Sequence, residues 1–340
     1  MKEIPAPRTG FEPINHIIRG YQLTRVLSTA MRCGIFSRLD KPKSASILAE
    51  EISTEPIITE KLLEVLVSLD MVSKVDGGYV NTDLVRSFFV KESILYQGDL
   101  INFMVDSYPL WSQLDQALKN GHLDNPGKGK RADTCDKRFI MASAEASIRG
   151  ALQDTVDVIT GLPEFKDTKR LLDLGGGHGL YSIAFAQKNP SIEAVVFDLP
   201  QVVEISQGFI KEYEMEGRVS VMAGDYLNDD LGSGYDLIFI SHSLFYQPRE
   251  TIEAPLRRIF RALKEKGTLV INHWVRRKDG NFLVSSLWDL RLTLLGSPHH
   301  LYSKEEYLDL LRKCGFVEKD TFDLPTSSSP TVIIVATKDR

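Results

Sequence analysis

Asp173-Leu174-Gly175-Gly176-Gly177-His178-Gly179 is the segment of this chain best suited to hold a ligand. It falls where the apolar stretch RLLDL meets the amphipathic stretch LYSIAFAQK, so a strand passes into a helix through glycines. Glycines at such a junction let backbone approach a ligand closely, and an open helix start offers N–H donors. Asp198 closes the next strand stretch, 21 residues after Gly177. A carboxylate there can hold both hydroxyls of an adenosine ribose. The spacing is G-x-G-x-G, with Leu180 where a dinucleotide fingerprint has its last glycine. Asp173, two residues before the first glycine, would repel a pyrophosphate and attract a sulfonium and an amino group. The turn therefore suits S-adenosylmethionine better than a nicotinamide cofactor. The other reading is a set of turn glycines with no ligand, and Asp198 and the strand-turn-helix context weigh against it.

A second cluster, Gly224-Asp225-Tyr226, follows a strand stretch and precedes an acidic loop. Its acid and flat ring could grip the amino group and the face of an adenine, although an isolated Gly-Asp pair also reads as an ordinary turn. Imidazoles recur near the expected crevice. His242 and His273 end neighbouring strand stretches, and His299 and His300 precede the last helix in a loop that could face an acceptor. His242, His273 and His300 are candidate proton acceptors, with His299 lining the acceptor. Each alone reads equally as a structural or surface histidine. His299 and His300 are adjacent rather than four apart, and no CxxC pair occurs, so no metal site is expected. His178 reads as a passive turn residue.

These groups need a scaffold, and the chain supplies two textures. Glu12 to Cys33 repeats apolar residues at three- and four-residue steps, which predicts a helix ended by Gly34. SASILAEEI and TEKLLEVLVSLDMV predict two more helices, each starting at a Ser or Thr cap. SKVDGGYVNTD predicts a hairpin turning at Asp76-Gly77-Gly78. Helices followed by a hairpin are the order of a winged helix. Gln97 to Asn120 and Lys137 to Thr160 each predict a helix, with a polar Gly/Lys-rich loop between them. After Lys169, strand and helix stretches alternate, which predicts an α/β fold with a Rossmann-like parallel sheet. In that series TIEAPLRRIFRALKEKG is a helix closed by Gly267. The tail departs from the series: VEKDTFDL and TVIIVATK are joined so closely that they must pair antiparallel.

The 340 residues, 43% hydrophobic and 26% charged, predict a globular protein of two domains. Net charge of −5 argues against a polycation that binds nucleic acid non-specifically. Cys33, Cys135 and Cys314 are few, odd in number and far apart, which fits a reducing compartment. The first ten residues carry no apolar core of a signal peptide, and no apolar run is long enough to span a bilayer. A cytoplasmic location is expected.

With these residues in place, the chain resembles the plant-type and acetylserotonin-type small-molecule O-methyltransferases and their bacterial relatives. The landmarks are LLDLGGGHG, VVFDLP, RVSVMAGDYL, YDLIFI, RALKEKGTLVI and SKEEYLDLLRKCGF. The resemblance implies an N-terminal winged-helix dimerisation domain, a homodimer, and a C-terminal methyltransferase domain with a reversed last strand. It implies residues 1–10 as a flexible start, 11–120 as the dimerisation domain with acceptor-lining helices, 121–160 as loop and linker helix, and 161–340 as the S-adenosylmethionine-binding domain. It places Gly175, Asp198, Asp225 and Tyr226 at the donor, beside Asp173, Gly177, Leu199 and Ser241. It also exposes a departure. The family's catalytic histidine and its acidic partner fall here on Phe245 and Leu301. A phenol, with a pKa of about 10, normally needs a base, whereas a thiolate, an enolate or an electron-rich ring carbon needs less help. The acceptor atom is therefore oxygen in the simplest reading and carbon, sulfur or nitrogen in the next.

Candidate acceptor-lining residues are Phe103, Met104, Tyr108 and Trp111 from the helical region, Phe245, and Trp288 with its neighbours Asp289 and Leu292. Each also reads as core at helical spacing. A regulator that senses the methyl donor through a DNA-binding winged helix is a third reading. Between Phe36 and Glu92, ten acids stand against seven bases, which opposes a surface built for phosphates.

Overall fold

A computed structural model describes residues 9–121, 123, 136–278, 280, 282–296, 301–325 and 330–339. The chain divides into two compact units, Met1–Ser107 and Tyr108–Arg340.

The first unit is helical with one hairpin. Its longer helices are Glu12–Arg32, Pro56–Ser68 and Gly98–Asp106, with short ones at Ala45–Glu51 and Asp83–Phe88. Ser44 caps its helix as expected, its hydroxyl accepting Ile47 N–H at 3.3 Å. The next helix starts earlier than its Thr59 signal. Pro56 occupies the first turn, and the Glu55 carboxylate accepts Ile58 N–H at 2.8 Å, so the acid rather than the threonine is the cap. Strands β1 (Val72–Val75) and β2 (Gly78–Asn81) pair antiparallel around Asp76 and Gly77, both with positive φ, the geometry of a tight hairpin. Leu39, Leu48, Leu63, Leu66 and Val85 form a fully buried core.

The expected helix from Gln97 to Asn120 is broken into Gly98–Asp106, Tyr108–Trp111 and Leu114–Asn120. Pro109 lacks the N–H that a continuous helix needs, and the division between units falls at this break.

The second unit is built on a seven-stranded sheet: β3 (Arg170–Leu174), β4 (Glu193–Asp198), β5 (Val219–Ala223), β6 (Tyr235–Ser241), β7 (Leu263–His273), β8 (Phe316–Leu324) and β9 (Thr331–Lys338). Their order is β5-β4-β3-β6-β7-β9-β8. The first five run parallel, and β9 is antiparallel to both β7 and β8. Side chains alternate between two cores. Leu171, Phe239 and Val270 pack on one face, and Leu172, Ile238 and Ile271 on the other. Burial of each such side chain contributes roughly 1.5–3 kcal/mol. The direction of strand succession reverses between β3 and β6, and a crevice opens at such a switch point beyond the carboxyl ends of the strands.

Two helix expectations in this unit are corrected. The stretch Lys137 to Thr160 is not one helix but Lys137–Ala146 and Leu152–Thr160, separated by a widened turn at Ser147–Ala151. Gly150, with φ +132°, makes that kink possible. Gly267 does not close a helix. The helix Glu253–Ala262 ends five residues earlier, and Gly267 lies inside β7 at a bulge opposite Tyr235 and Leu237. A Cβ at Gly267 would come within 2.9 Å of the Lys264 carbonyl oxygen, so the bulge, not a helix end, requires the glycine.

Candidate active site

The glycine turn crosses the carboxyl tip of β3 and is tied to β4. Gly175 N–H donates to the Phe197 carbonyl at 2.8 Å. Gly177 N–H donates to Asp198 Oδ2 at 2.9 Å, and Leu199 N–H donates to Asp198 Oδ1 at 2.7 Å. Ser206 Oγ donates to the Gly177 carbonyl at 2.6 Å. A Cβ at Gly175 would lie 2.8 Å from Ser243, whereas one at Gly177 would meet nothing within 4 Å. The turn is thus packed beneath and open at Gly177, the form expected where a ligand approaches backbone.

Asp173 is not on the open side. Its carboxyl is buried below Gly176 and accepts the Ser182 hydroxyl at 2.9 Å. Burial, with the charge of Asp198 adding to it, pushes its pKa up to about 7. It supports the turn from below. His178 is more than a passive turn residue. Its Nδ1 accepts Leu180 N–H at 3.1 Å, closing one donor of the helix start, and Nε2 lies 3.3 Å from Ser147 Oγ in the kinked turn. Burial holds this imidazole neutral, its pKa lowered to about 4.

Asp225 shapes its own loop by accepting Leu227 N–H at 3.0 Å and Asn228 Nδ2 at 3.2 Å. Tyr226 is half-buried. Its hydroxyl donates to the Ser243 carbonyl at 3.3 Å and accepts Gln247 Nε2 at 2.9 Å, which joins the Asp225 loop to the segment after β6. Ser241 Oγ accepts Asn272 Nδ2 at 3.1 Å, tying β6 to β7.

The two residues on which the resemblance places the catalytic pair are interior. Phe245 is 2% and Leu301 3% exposed. The Phe245 ring packs on Tyr246, His273, Trp274 and His242, so it is part of a buried wall rather than an open acceptor-lining side chain. A short 3-10 turn, Leu244–Tyr246, folds it inward. His273 is also interior, fully buried and stacked 5.5 Å from the Tyr307 ring, so it cannot itself touch an acceptor. His242 differs. It is half-buried at the tip of β6, its backbone is left-handed with φ +51°, and its ring lies 4.5 Å from Trp274. Burial lowers its pKa to about 4. His299 and His300 lie outside the described residues.

Trp288 stacks on Phe139 at 5.6 Å and meets Trp274 edge-on at 6.1 Å. Its indole Nε1 is sealed with no hydrogen-bond partner among the described residues. Phe139, Trp288, Trp274 and His242 thus form a continuous aromatic series, and Ser243, next to His242, lies under Gly175 of the glycine turn. Phe139 and Trp274 escape the sequence reading: Trp274 is adjacent to the noted His273, and nothing local marks Phe139. Leu292 is core, and Trp111 packs with Leu294 in a small separate cluster. Tyr108 is exposed in this unit, while Phe103 and the exposed Met104 lie on the last helix of the first unit. No group of three or more metal-ligating side chains occurs among the described residues.

A parallel sheet with a reversed penultimate strand, and a glycine turn clamped by an acid at the switch point, define a methyltransferase fold. The chain belongs to the O-methyltransferase family. The model of the O-methyltransferase domain matches residues 130–317, more than half of the chain, and that of the O-methyltransferase dimerisation domain matches residues 15–91. The protein is therefore an S-adenosylmethionine-dependent methyltransferase. An uncharacterized protein of Methanocaldococcus jannaschii is 32% identical over 75% of this chain and 67% of its own length. L-tyrosine C(3)-methyltransferase of Streptomyces lavendulae is 33% identical over 55% of this chain, which spans about half of that relative's length. Human N-acetylserotonin methyltransferase, solved with the methyl donor, superposes with a TM-score of 0.83 over 99% of this chain and 100% of its own, at 21% identity.

Proposed function

We propose that Gly175, Gly177, Asp198, Leu199, Asp225 and Tyr226 hold S-adenosylmethionine, with Asp173 and Ser241 bracing them, and that a small acceptor sits against Phe139, Trp274, Trp288 and His242. The observation that carries this reading is the Asp198 carboxylate. It is half-buried and oriented by two backbone N–H groups beside the open Gly177, the place from which a carboxylate can reach the hydroxyls of a ribose. When bound, S-adenosylmethionine supplies an electrophilic methyl group on a cationic sulfur. The chain's own part is to hold the donor by its ribose, surround the reacting atoms with rings that keep water out, and orient the nucleophile.

Family membership favours oxygen as the acceptor atom. A second reading, ring carbon, is favoured by the burial of Phe245 and Leu301 where a base pair of residues is expected, and by the likeness to a C(3)-methyltransferase. Incubation of the enzyme and isotope-labelled S-adenosylmethionine with host extract, followed by mass spectrometry and NMR of labelled products, separates an ether from a carbon-bound methyl. Failure of calorimetry to detect donor binding would overturn the site.

The same reading makes the protein a homodimer joined through a winged-helix first unit, acting on a small molecule in the cytoplasm rather than on nucleic acid or a membrane. The helix-then-hairpin order, the exposed Ile17 and Tyr21, and the free thiols of Cys33 and Cys314 support it. No helix among the described residues is long and apolar enough to cross a membrane.

A further inference from the structure

We propose that His242 meets a protic acceptor through Nε2, held as the Nδ1–H tautomer by His273 across a sealed polar cluster that Tyr307 completes. This rests on the methyltransferase site described above.

Three rings stand in contact behind the acceptor wall. His242 and His273 lie 5.8 Å apart and nearly perpendicular, and His273 stacks on Tyr307 at 5.5 Å. His273 and Tyr307 are both completely enclosed. Four of their polar atoms are sealed with no hydrogen-bond partner among the described residues: His242 Nδ1, both nitrogens of His273 and the Tyr307 hydroxyl. Buried polar atoms are almost always satisfied, and a concentration of unpaired ones marks a place for internal water. Apolar residues would fill this space at less cost, so the imidazoles point to a task.

That task follows from the differing exposure of the two His242 nitrogens. Only Nδ1 is among the sealed atoms. The ring adjoins Trp274 on one side, and the next residue, Ser243, packs against Gly175 of the donor turn on the other. Its backbone at the tip of β6 is left-handed, a conformation that persists where surroundings impose it, and the ring meets Trp274, Phe245 and His273. A neutral imidazole carries one N–H and one lone pair, and the partner of one nitrogen decides which is which. If Nδ1–H donates inward through water to a His273 lone pair, and the other His273 nitrogen donates toward the Tyr307 oxygen, Nε2 of His242 keeps its lone pair for the acceptor. As the acceptor oxygen bonds the methyl carbon, its proton passes to Nε2 and the electron pair of the breaking carbon–sulfur bond stays on sulfur. The donor's positive charge thus ends on the imidazole. His273 touches neither reactant and is a positioning residue. The base is thereby displaced three residues from the position that Phe245 occupies.

The test is solution NMR of the full chain labelled with 15N-histidine, reading each tautomer from two-bond nitrogen–proton correlations. His242 is assigned by loss of its signals in His242→Asn. The wild type should show His242 with Nδ1 pyrrole-like and Nε2 pyridine-like. His273→Phe should convert it wholly or largely to the opposite tautomer, and Tyr307→Phe, which removes only the hydroxyl, should shift it in the same direction. Thermal unfolding reports whether His273→Phe folds; if it does not, Tyr307→Phe decides. A wild-type His242 carrying its proton on Nε2, or a pattern unmoved by the folded variants, would overturn the proposal. Calorimetry with S-adenosylmethionine on the same samples separates this from failure of the donor site.

Discussion

Asp198 fixes Gly177: one carboxylate oxygen accepts the glycine N–H at 2.9 Å while the other accepts Leu199 N–H at 2.7 Å. Because the carboxylate is oriented before any ligand arrives, little ordering remains to be done on binding. Asp198→Ala removes both the ribose contacts and the clamp. A hydrogen bond to a charged group contributes about 1.5–3 kcal/mol, so affinity for S-adenosylmethionine should fall by roughly 10- to 100-fold or more. Isothermal calorimetry measures this directly, and an unchanged Kd would place the donor elsewhere.

Two glycines make a matched pair of opposite sign. A Cβ at Gly176 would come within 2.7 Å of the Asp173 Cγ and 2.9 Å of Val196, both buried, so Gly176→Ala should destabilise the fold by about 1–3 kcal/mol. Gly208 lies inside the helix Pro200–Glu212 with nothing near its Cβ position. Gly208→Ala should stabilise by up to about 1 kcal/mol through helix propensity. Urea unfolding of the two variants compares them on one scale.

Asp173 should give the fold a pH dependence of unusual sign for a carboxylate. Burial raises its pKa from 3.8 to about 7, so the folded state holds this proton more tightly than the unfolded chain. The group's contribution is fully present below pH 4 and is lost as pH rises toward 7, at most roughly 4 kcal/mol in all. The buried His178 and His242 act oppositely, since their lowered pKa values favour the folded state above pH 6.5 and lose that advantage as pH falls toward 4. Asp173→Asn isolates the carboxyl: relative to the wild type, it should gain stability between pH 4 and 7. A constant difference across urea titrations at pH 4.5, 6 and 7.5 would show that Asp173 stays ionised.

The parallel strands, the glycine turn and the Asp198 position are legible in the sequence because alternation and turn glycines act locally. What is not legible depends on distant packing. In TIEAPLRRIFRALKEKG the charged residues after Leu263 followed by Gly267 read as an ordinary helix end, so only the strand pairing reveals that Leu263 to Gly267 belong to β7. Phe245 and Leu301 could be located by spacing, but their burial could not: Phe245 is folded inward by a 3-10 turn and packs on His273, far along the chain. The two broken helices were signalled by Pro109 and Gly150, single residues inside otherwise continuous apolar periodicity.

That burial makes reversion to the family's usual residues costly. Phe245→His would place an imidazole among Tyr246, His273 and Trp274, and Leu301→Glu would enclose a carboxylate that is 3% exposed in its leucine form. An unpaired buried polar group costs about 1–3 kcal/mol and a charge more. The double variant should therefore unfold roughly 5–20 °C lower, at about 2–4 °C per kcal/mol for a unit of this size, and should gain no methylation rate. Differential scanning fluorimetry and product formation from labelled donor read the two outcomes; a faster enzyme with unchanged Tm would mean that these positions face the acceptor after all.

The helix Glu12–Arg32 exposes Phe11, Ile14, Ile17, Ile18 and Tyr21 at its start, between 44% and 75% of each surface open. Scattered exposed apolar residues are ordinary, but five within eleven positions on one element form a patch that usually meets another protein. The match of residues 15–91 to a dimerisation domain names the kind of contact, and a second copy of the chain is the partner expected for a two-fold, self-complementary surface. Because Ile17 is 75% exposed, Ile17→Asp should leave the stability of the first unit within about 0.5 kcal/mol while it inserts a charge into the proposed dimer contact. Light scattering at micromolar concentration should then show the mass fall by half with an unchanged circular dichroism spectrum. A dimer that survives both Ile17→Asp and the paired change Ile14→Asp with Ile18→Asp would assign the association to another surface.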